Sequence, residues 1–328
     1  MKDNMKKIFV AILAVAALLA AGCAKSDQTA PAKGQVVRVS AGAEELISKV
    51  ASSTSGRFTW TKGDAIGIWT GSGITKFTLA DEWAGFGYGE FVGELPEGGA
   101  ITADSYAVYP YAEGAEASAT SYTFPELDKW NTPASTYMLY AKGGEEKDGK
   151  YSFTFHHTTA YFRVVLKNIP ATAGGLYIET ADGGCYAKSV NVDFSAQTPA
   201  VTVPSFDESL IYVLPEHTAS IESLTLILPI KAGNYAQNWG KKGLKFRIAV
   251  YSEPNWWSTK IFDYAGYFLP ETEGAGYDVK VGEYYVFPEI SYPNLKQLDD
   301  TGTGVNDGIE ESVVTVQDPN GFWEIKLN

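Results

Sequence analysis

The sequence predicts an all-β protein built from antiparallel sandwiches. The chain is a succession of short β-type runs separated by Gly, Pro, Asn and Asp, which is the punctuation of strands and turns. Several runs alternate with period two. Phe162, Val164 and Leu166 fall on one face against Tyr161, Arg163 and Lys167, and Phe246, Ile248 and Val250 oppose Lys245, Arg247 and Tyr251. No amphipathic helices lie between the runs to cross over a parallel sheet, since only 44–52 has any claim to helix.

At the N-terminus, Lys2, Lys6 and Lys7 precede an uncharged apolar run from Ile8 to Ala21, too short to span a bilayer. It closes on Leu18-Leu19-Ala20-Ala21-Gly22-Cys23, where small residues before a cysteine give processing enzymes access to the backbone. This resembles the lipobox of bacterial lipoproteins, with Ala20 where Leu is commoner. The expectation is a signal peptide over 1–22, cleavage before Cys23, and lipid on that thiol. At roughly 0.8 kcal/mol per buried CH2, one acyl chain holds marginally, whereas two or three hold lastingly. Residues 23–34 are small, polar and Pro/Gly-bearing, and read as a flexible tether.

Strands are expected at 36–41, 57–60, 65–69, 75–79, 90–92, 106–109, 151–157, 161–167, 176–179, 210–214, 224–228, 245–251 and 284–287. Two further runs lie near the end, at 313–316 and 323–327. Gly63-Asp64 is a turn dipeptide between apolar runs, so Ile66 and Ile68 should share one layer with Trp60 over it. Pro110 lacks an N–H and must end its ladder or lie at an edge. The sharpest break in composition is Lys142–Lys150, nine residues with no apolar side chain. It reads as an interdomain loop, with a first domain over 35–147 and a second over 148–293; the alternative is a long hairpin within one domain. Residues 294–328 form a tail that either completes the second domain or donates a strand to a partner.

Composition excludes several classes. The formal charge is −13, and losing Lys2, Lys6, Lys7 and Asp3 with the leader makes it −15. Such an acidic surface argues against nucleic acid and against electrostatic binding to anionic lipid. Only Cys185 remains besides Cys23, so the fold has no internal disulfide.

Enzyme chemistry finds little support. There are three histidines, His156, His157 and His217. The first two are consecutive in an expected strand and therefore point to opposite faces. No zinc-ligand spacing exists. Gly144–Lys150 nearly matches a phosphate-binding loop, but Tyr151 stands where Ser or Thr is required and a strand follows. Asp299, Asp300, Asn306, Asp307 and Glu310 miss the spacing of a calcium loop. A binding role is better supported: Trp239, Trp256 and Trp257 lie in polar loop stretches, where indole faces can stack on sugar rings or cap the end of a core.

The run Phe58–Trp69, with its Trp60-Thr61-Lys62-Gly63-Asp64-Ala65-Ile66-Gly67-Ile68 core, resembles the fimbrillin family of Bacteroidetes surface lipoproteins. Further landmarks follow in that family's order: Gly89–Gly93, Tyr106–Tyr111, Tyr137–Ala141 and Phe155–Val164. The likeness covers roughly 36–170 well and 171–290 by general character, and residues 294–328 depart from it. It implies two transthyretin-like antiparallel sandwiches, no enzyme activity and no cofactor. It also implies a pilus subunit or pilus-associated adhesin at the cell outer membrane or in a fimbria. The partners would be other pilin subunits joined by strand exchange, the membrane through lipid on Cys23, and a protein or glycan of a host or bacterial surface. In relatives an Arg-specific protease removes an N-terminal strand; here Arg38 and Arg57 are the arginines before Arg163, and either is a candidate cut. The rival reading is a surface glycan-binding lipoprotein using Trp239, Trp256 and Trp257.

Overall fold

The computed structural model describes residues 34–44, 47–48, 58–128, 136–147, 150–169, 171, 173–180, 185–207, 209–214, 218–234, 244–251, 262–270, 278–286, 290–291, 296–297, 312–318 and 321–327. Cys23, Arg57, Trp239, Trp256, Trp257, His217 and the 299–310 acidic cluster lie outside them. Among the described residues no helix is long and apolar enough to cross a membrane.

The fold is all-β, its only described helix being one 3-10 turn at Asp81–Trp83. The first strands are β1 (Val36–Ala43), β2 (Ile47–Ser48), β3 (Ala65–Trp69), β4 (Ile74–Leu79), β5 (Tyr88–Glu94) and β6 (Tyr106–Tyr109). There follow β7 (Ala117–Ser118), β8 (Ser121–Phe124), β9 (Leu139–Lys142), β10 (Glu145–Lys147), β11 (Lys150–His157) and β12 (Ala160–Ile169). Next come β13 (Gly175–Thr180), β14 (Tyr186–Asp193), β15 (Ala200–Asp207), β16 (Ser209–Val213), β17 (Ile221–Ile230), β18 (Gly233–Asn234) and β19 (Leu244–Tyr251). The last are β20 (Phe262–Pro270), β21 (Asp278–Val279), β22 (Glu283–Val286), β23 (Ile290–Ser291), β24 (Lys296–Gln297), β25 (Ser312–Asp318) and β26 (Gly321–Leu327).

The first sheet runs β1-β5-β4-β3-β6-β9-β11-β10, and β1 also pairs in parallel with β11, so the strands close into a ring. Inside it lie Val39, Ala41, Trp60, Ile66, Ile68, Phe77, Phe91, Leu139, Phe153 and Phe155, all close to fully buried. Ile66, Ile68 and Trp60 do share one layer. Phe58–Trp60 differs from expectation: it is not a strand, and Trp60 is held by bonds from its N–H to Phe86 O and from Gly85 N–H to its carbonyl. The stretch 142–150 contains β10 and opens β11, which pair as a hairpin. Where 44–52 was the one helical candidate, Ile47–Ser48 forms β2.

A second sheet runs β2-β22-β12-β17-β14-β8-β7, with β15 on β14 and β23 on β12. It packs on the outside of the ring. Tyr106 and Val108 turn away from the ring interior to meet Tyr122, Phe124, Val190, Val192 and Phe194, while Ala107 between them faces the inner core. Alternation along β6 therefore feeds two cores. The Lys142 ammonium ties the layers further, donating to the Phe194 and Ala196 carbonyls at 2.5 and 2.6 Å. Tyr161, expected on the polar face of β12, is fully buried with Tyr284 and Ile227, because β12 is covered on both sides. A third sheet runs β16-β13-β19-β20-β26-β25, with β25 paired to β26 alone among the described strands.

Close packing also fixes a glycine in the ring. A Cβ on Gly93 would lie 2.6 Å from the Phe77 ring and 2.7 Å from the Lys76 carbonyl oxygen. The carbonyl cannot yield without breaking the β4–β5 ladder, whose register pairs Phe77 with Gly93. Gly93→Ala is expected to cost about 2 kcal/mol, as overpacking does. Gly73→Ala, whose Cβ meets nothing within 4 Å, should cost much less. Urea unfolding of the two variants side by side checks this.

Candidate functional site

The position of β1 is the feature most pertinent to function. This N-terminal strand fills the gap between β5, antiparallel over Val36–Gly42, and β11, parallel over Val39–Ala43. Its sequence suits the slot. Val39 and Ala41 are buried in the ring's core and Val37 and Ala43 pack against it, while Arg38 and Ser40 alternate outward. The inward side chains are small, so β1 fills the gap without large anchoring groups.

Both ends of β1 are fastened. At the start, Gly34 N–H donates to Leu95 O and Leu95 N–H to Gln35 O. At the end, three contacts converge on Glu44. Its N–H donates to Phe155 O at 2.9 Å, its carboxylate pairs with His156 Nδ1 at 2.8 Å, and its carbonyl lies 3.2 Å from His157 Nε2. A carbonyl only accepts, so neutral His157 carries its proton on Nε2 and receives the Tyr161 hydroxyl on Nδ1, 3.3 Å away. The two histidines point to opposite faces, His156 half-exposed and His157 buried. Burial pushes the His157 pKa down to about 4, against the opposing pull of the Glu44 carbonyl and carboxylate. Burial likewise raises Tyr161 and Tyr137 above the ordinary phenol value. Glu44 was not legible as a site residue, because no local pattern shows that its carbonyl meets His157, 113 residues away.

Arg38 lies within the paired strand, opposite Val92, and its guanidinium sits 3.5 Å from the Glu90 carboxylate. Lys150 approaches the same carboxylate at 3.9 Å. These are solvent-screened pairs worth little; what holds Arg38 extended is its place in the ladder with β5. Among the described residues no three metal-ligating side chains come together. Chemically, then, the arrangement offers a strand-shaped slot lined by apolar side chains and two sheet edges.

No family model and no curated protein matches the chain. Solved structures that resemble it include a candidate cell adhesion protein from Bacteroides uniformis, with TM-score 0.41 and 16% identity, covering 89% of this chain and 97% of that one. A candidate cell adhesion protein from Bacteroides ovatus gives TM-score 0.42 and 12% identity, over 81% and 95% of the two chains. A fimbrial protein from Bacteroides ovatus gives TM-score 0.29 and 15% identity, over 88% of this chain and 58% of its own. Likenesses at these TM-scores do not establish a shared family.

Proposed function

We propose that the chain is a non-enzymatic surface lipoprotein of fimbrillin type, lipid-anchored at Cys23 and assembled with its neighbours by strand exchange. The observation that supports this most is the double pairing of β1. Removing it would strip β5 and β11 of their partner and uncover the inner core beside Val39 and Ala41. Backbone bonds at about 1 kcal/mol net each make such a gap costly to leave open. A strand from another subunit would restore both ladders and set alternate side chains into the core.

The two arginines are not equivalent in this scheme. Cleavage at Arg38 leaves Val39–Ala43 in the slot, whereas cleavage at Arg57 frees the whole of β1. The candidate donor is the tail over 294–328, where Trp323, Ile325 and Leu327 occupy alternate positions of β26; because β26 pairs with both β20 and β25, donation requires it to leave β20.

The test is the mass and oligomeric state of protein extracted from its native membrane, before and after limited Arg-specific proteolysis. A lipidated start at Cys23 is expected, followed by cleavage after Arg57 and ladders that survive SDS. Arg57→Ala should abolish the ladders and Arg38→Ala should leave them. A protein that starts lipidated at Cys23 and stays monomeric once it is cut after Arg57 would rule out strand exchange.

A further inference from the structure

The β3–β4 hairpin and the segment after β6 enclose a cleft of about 230 Å³. Trp69, Ile74 and Tyr111 line it, with Ser72, Ala112 and Ala115. Its aromatic surfaces are held in place from behind. Trp69 stacks at 5.9 Å and 12° on Tyr106, which stacks at 4.0 Å and 6° on Phe194. Tyr111 lies against Gly67 of β3, where a Cβ would come 3.3 Å from its ring and 2.6 Å from Ile74. A glycine at this strand position is what lets the ring settle on bare backbone. The Lys76 ammonium, from the rung facing Gly67, sits 5.6 Å from the centre of the Tyr111 ring. The Tyr122 hydroxyl is fully buried without a hydrogen-bond partner, and Tyr111 is close enough to add to the burial that raises its pKa to about 12.

We propose that this cleft binds one hexopyranose ring of a neutral glycan, stacked against Trp69 and Tyr111 with its hydroxyls directed to Ser72. The volume falls below the roughly 300–1,000 Å³ of sites for drug-sized ligands, so it suits a single ring. Aromatic faces carry negative charge density and attract the C–H face of a sugar, while preformed rings spare the cost of ordering them. The chain's charge of −13 disfavours an acidic sugar. A peptide adding as a strand is disfavoured too, because β3 is paired on both sides, by β4 and β6. The site is separate in sequence from Trp239, Trp256 and Trp257 and does not depend on strand exchange.

Saturation-transfer NMR on the full chain tests it, using the methyl glycosides of mannose, galactose, glucose and N-acetylglucosamine, with a polyproline peptide as competitor. At least one glycoside should bind with Kd of about 1 mM, a typical strength for a single small contact site. Tyr111→Ala and the cleft-filling Ala112→Trp should each weaken it at least tenfold, and Trp257→Ala should not. If Tyr111→Ala lowers the melting temperature, Ala112→Trp decides the matter, because Ala112 belongs to neither buried core. The proposal is overturned if no glycoside binds, if binding survives Ala112→Trp, if it is lost only in Trp257→Ala, or if the peptide alone occupies the cleft.

Discussion

Trp60→Ala is expected to destabilise the ring by about 5 kcal/mol, at the top of the range for removing a buried tryptophan. The side chain is 1% exposed and meets four aromatic rings edge to face: Phe58 at 4.6 Å, Phe91 at 4.9 Å, Tyr109 at 5.2 Å and Phe155 at 6.0 Å. Such pairs add about 0.5–1.5 kcal/mol each beyond their area, and losing all of them together prevents the neighbours from closing the cavity. Phe58 and Trp60 are also not in a strand, so packing and the bonds to residues 85–86 hold this segment in place. A domain is stable by about 5–15 kcal/mol, so the variant should stand close to unfolding. Trp60→Phe should cost less than half as much. The indole Nε1 is buried with no hydrogen-bond partner, so phenylalanine removes an uncompensated N–H along with the lost volume. Urea midpoints of the three proteins measure both numbers. Equal losses for alanine and phenylalanine would show that the shape of the indole, not the unpaired N–H, governs the site.

How far the sequence could be read depended on whether a strand has one buried face or two. Ala65–Trp69 and Tyr106–Tyr109 match their predicted limits, since punctuation by Gly63-Asp64 and Pro110 bounds them. Among strands of four residues or more, β8, β9, β14, β15 and β20 have no counterpart in the expected runs. In β14 the pattern is blurred because Tyr186, Ala187, Ser189 and Val190 are all buried and the register with β15 shifts twice. Tyr161 was misplaced for the same reason: covering both faces of β12 erases the distinction that alternation encodes. Closure of the ring was illegible on other grounds. The partner of β1 lies more than a hundred residues away, and its parallel pairing with β11 follows from no local signal. The candidate site inherits this limit: Arg38 could be named as one of the two arginines before Arg163, but its place in a doubly paired strand could not. The Trp69–Tyr111 cleft, too, arises from where a hairpin and a later loop meet.

Stability should fall as the pH drops from about 6.5 towards 4, and His157 should account for about 3 kcal/mol of the loss. In the unfolded chain this imidazole takes up a proton near its ordinary pKa of 6.5, whereas in the fold it resists until about 4. Between those values the unfolded state binds the extra proton. Acidification therefore favours unfolding by about 1.4 kcal/mol per pH unit, and the stability is intact above 6.5. With His157 only 4% exposed, bulk water does not screen the effect. The surroundings explain the resistance. Nε2 already donates to Glu44 O and Nδ1 faces the Tyr161 hydroxyl, with the Tyr137 ring alongside, and burial outweighs the pull of the Glu44 carbonyl and carboxylate on a second proton. His156, on the opposite face, takes the Glu44 carboxylate for itself. The check is urea unfolding at several pH values, for the native chain and for His157→Gln. The variant can be less stable at every pH, because the glutamine amide cannot reproduce both contacts, so the readout is the slope rather than the level. A flattened dependence between 6.5 and 4 assigns the acid sensitivity to His157. An unchanged slope would place it on other groups and show that the end of β1 is not held by a buried neutral histidine.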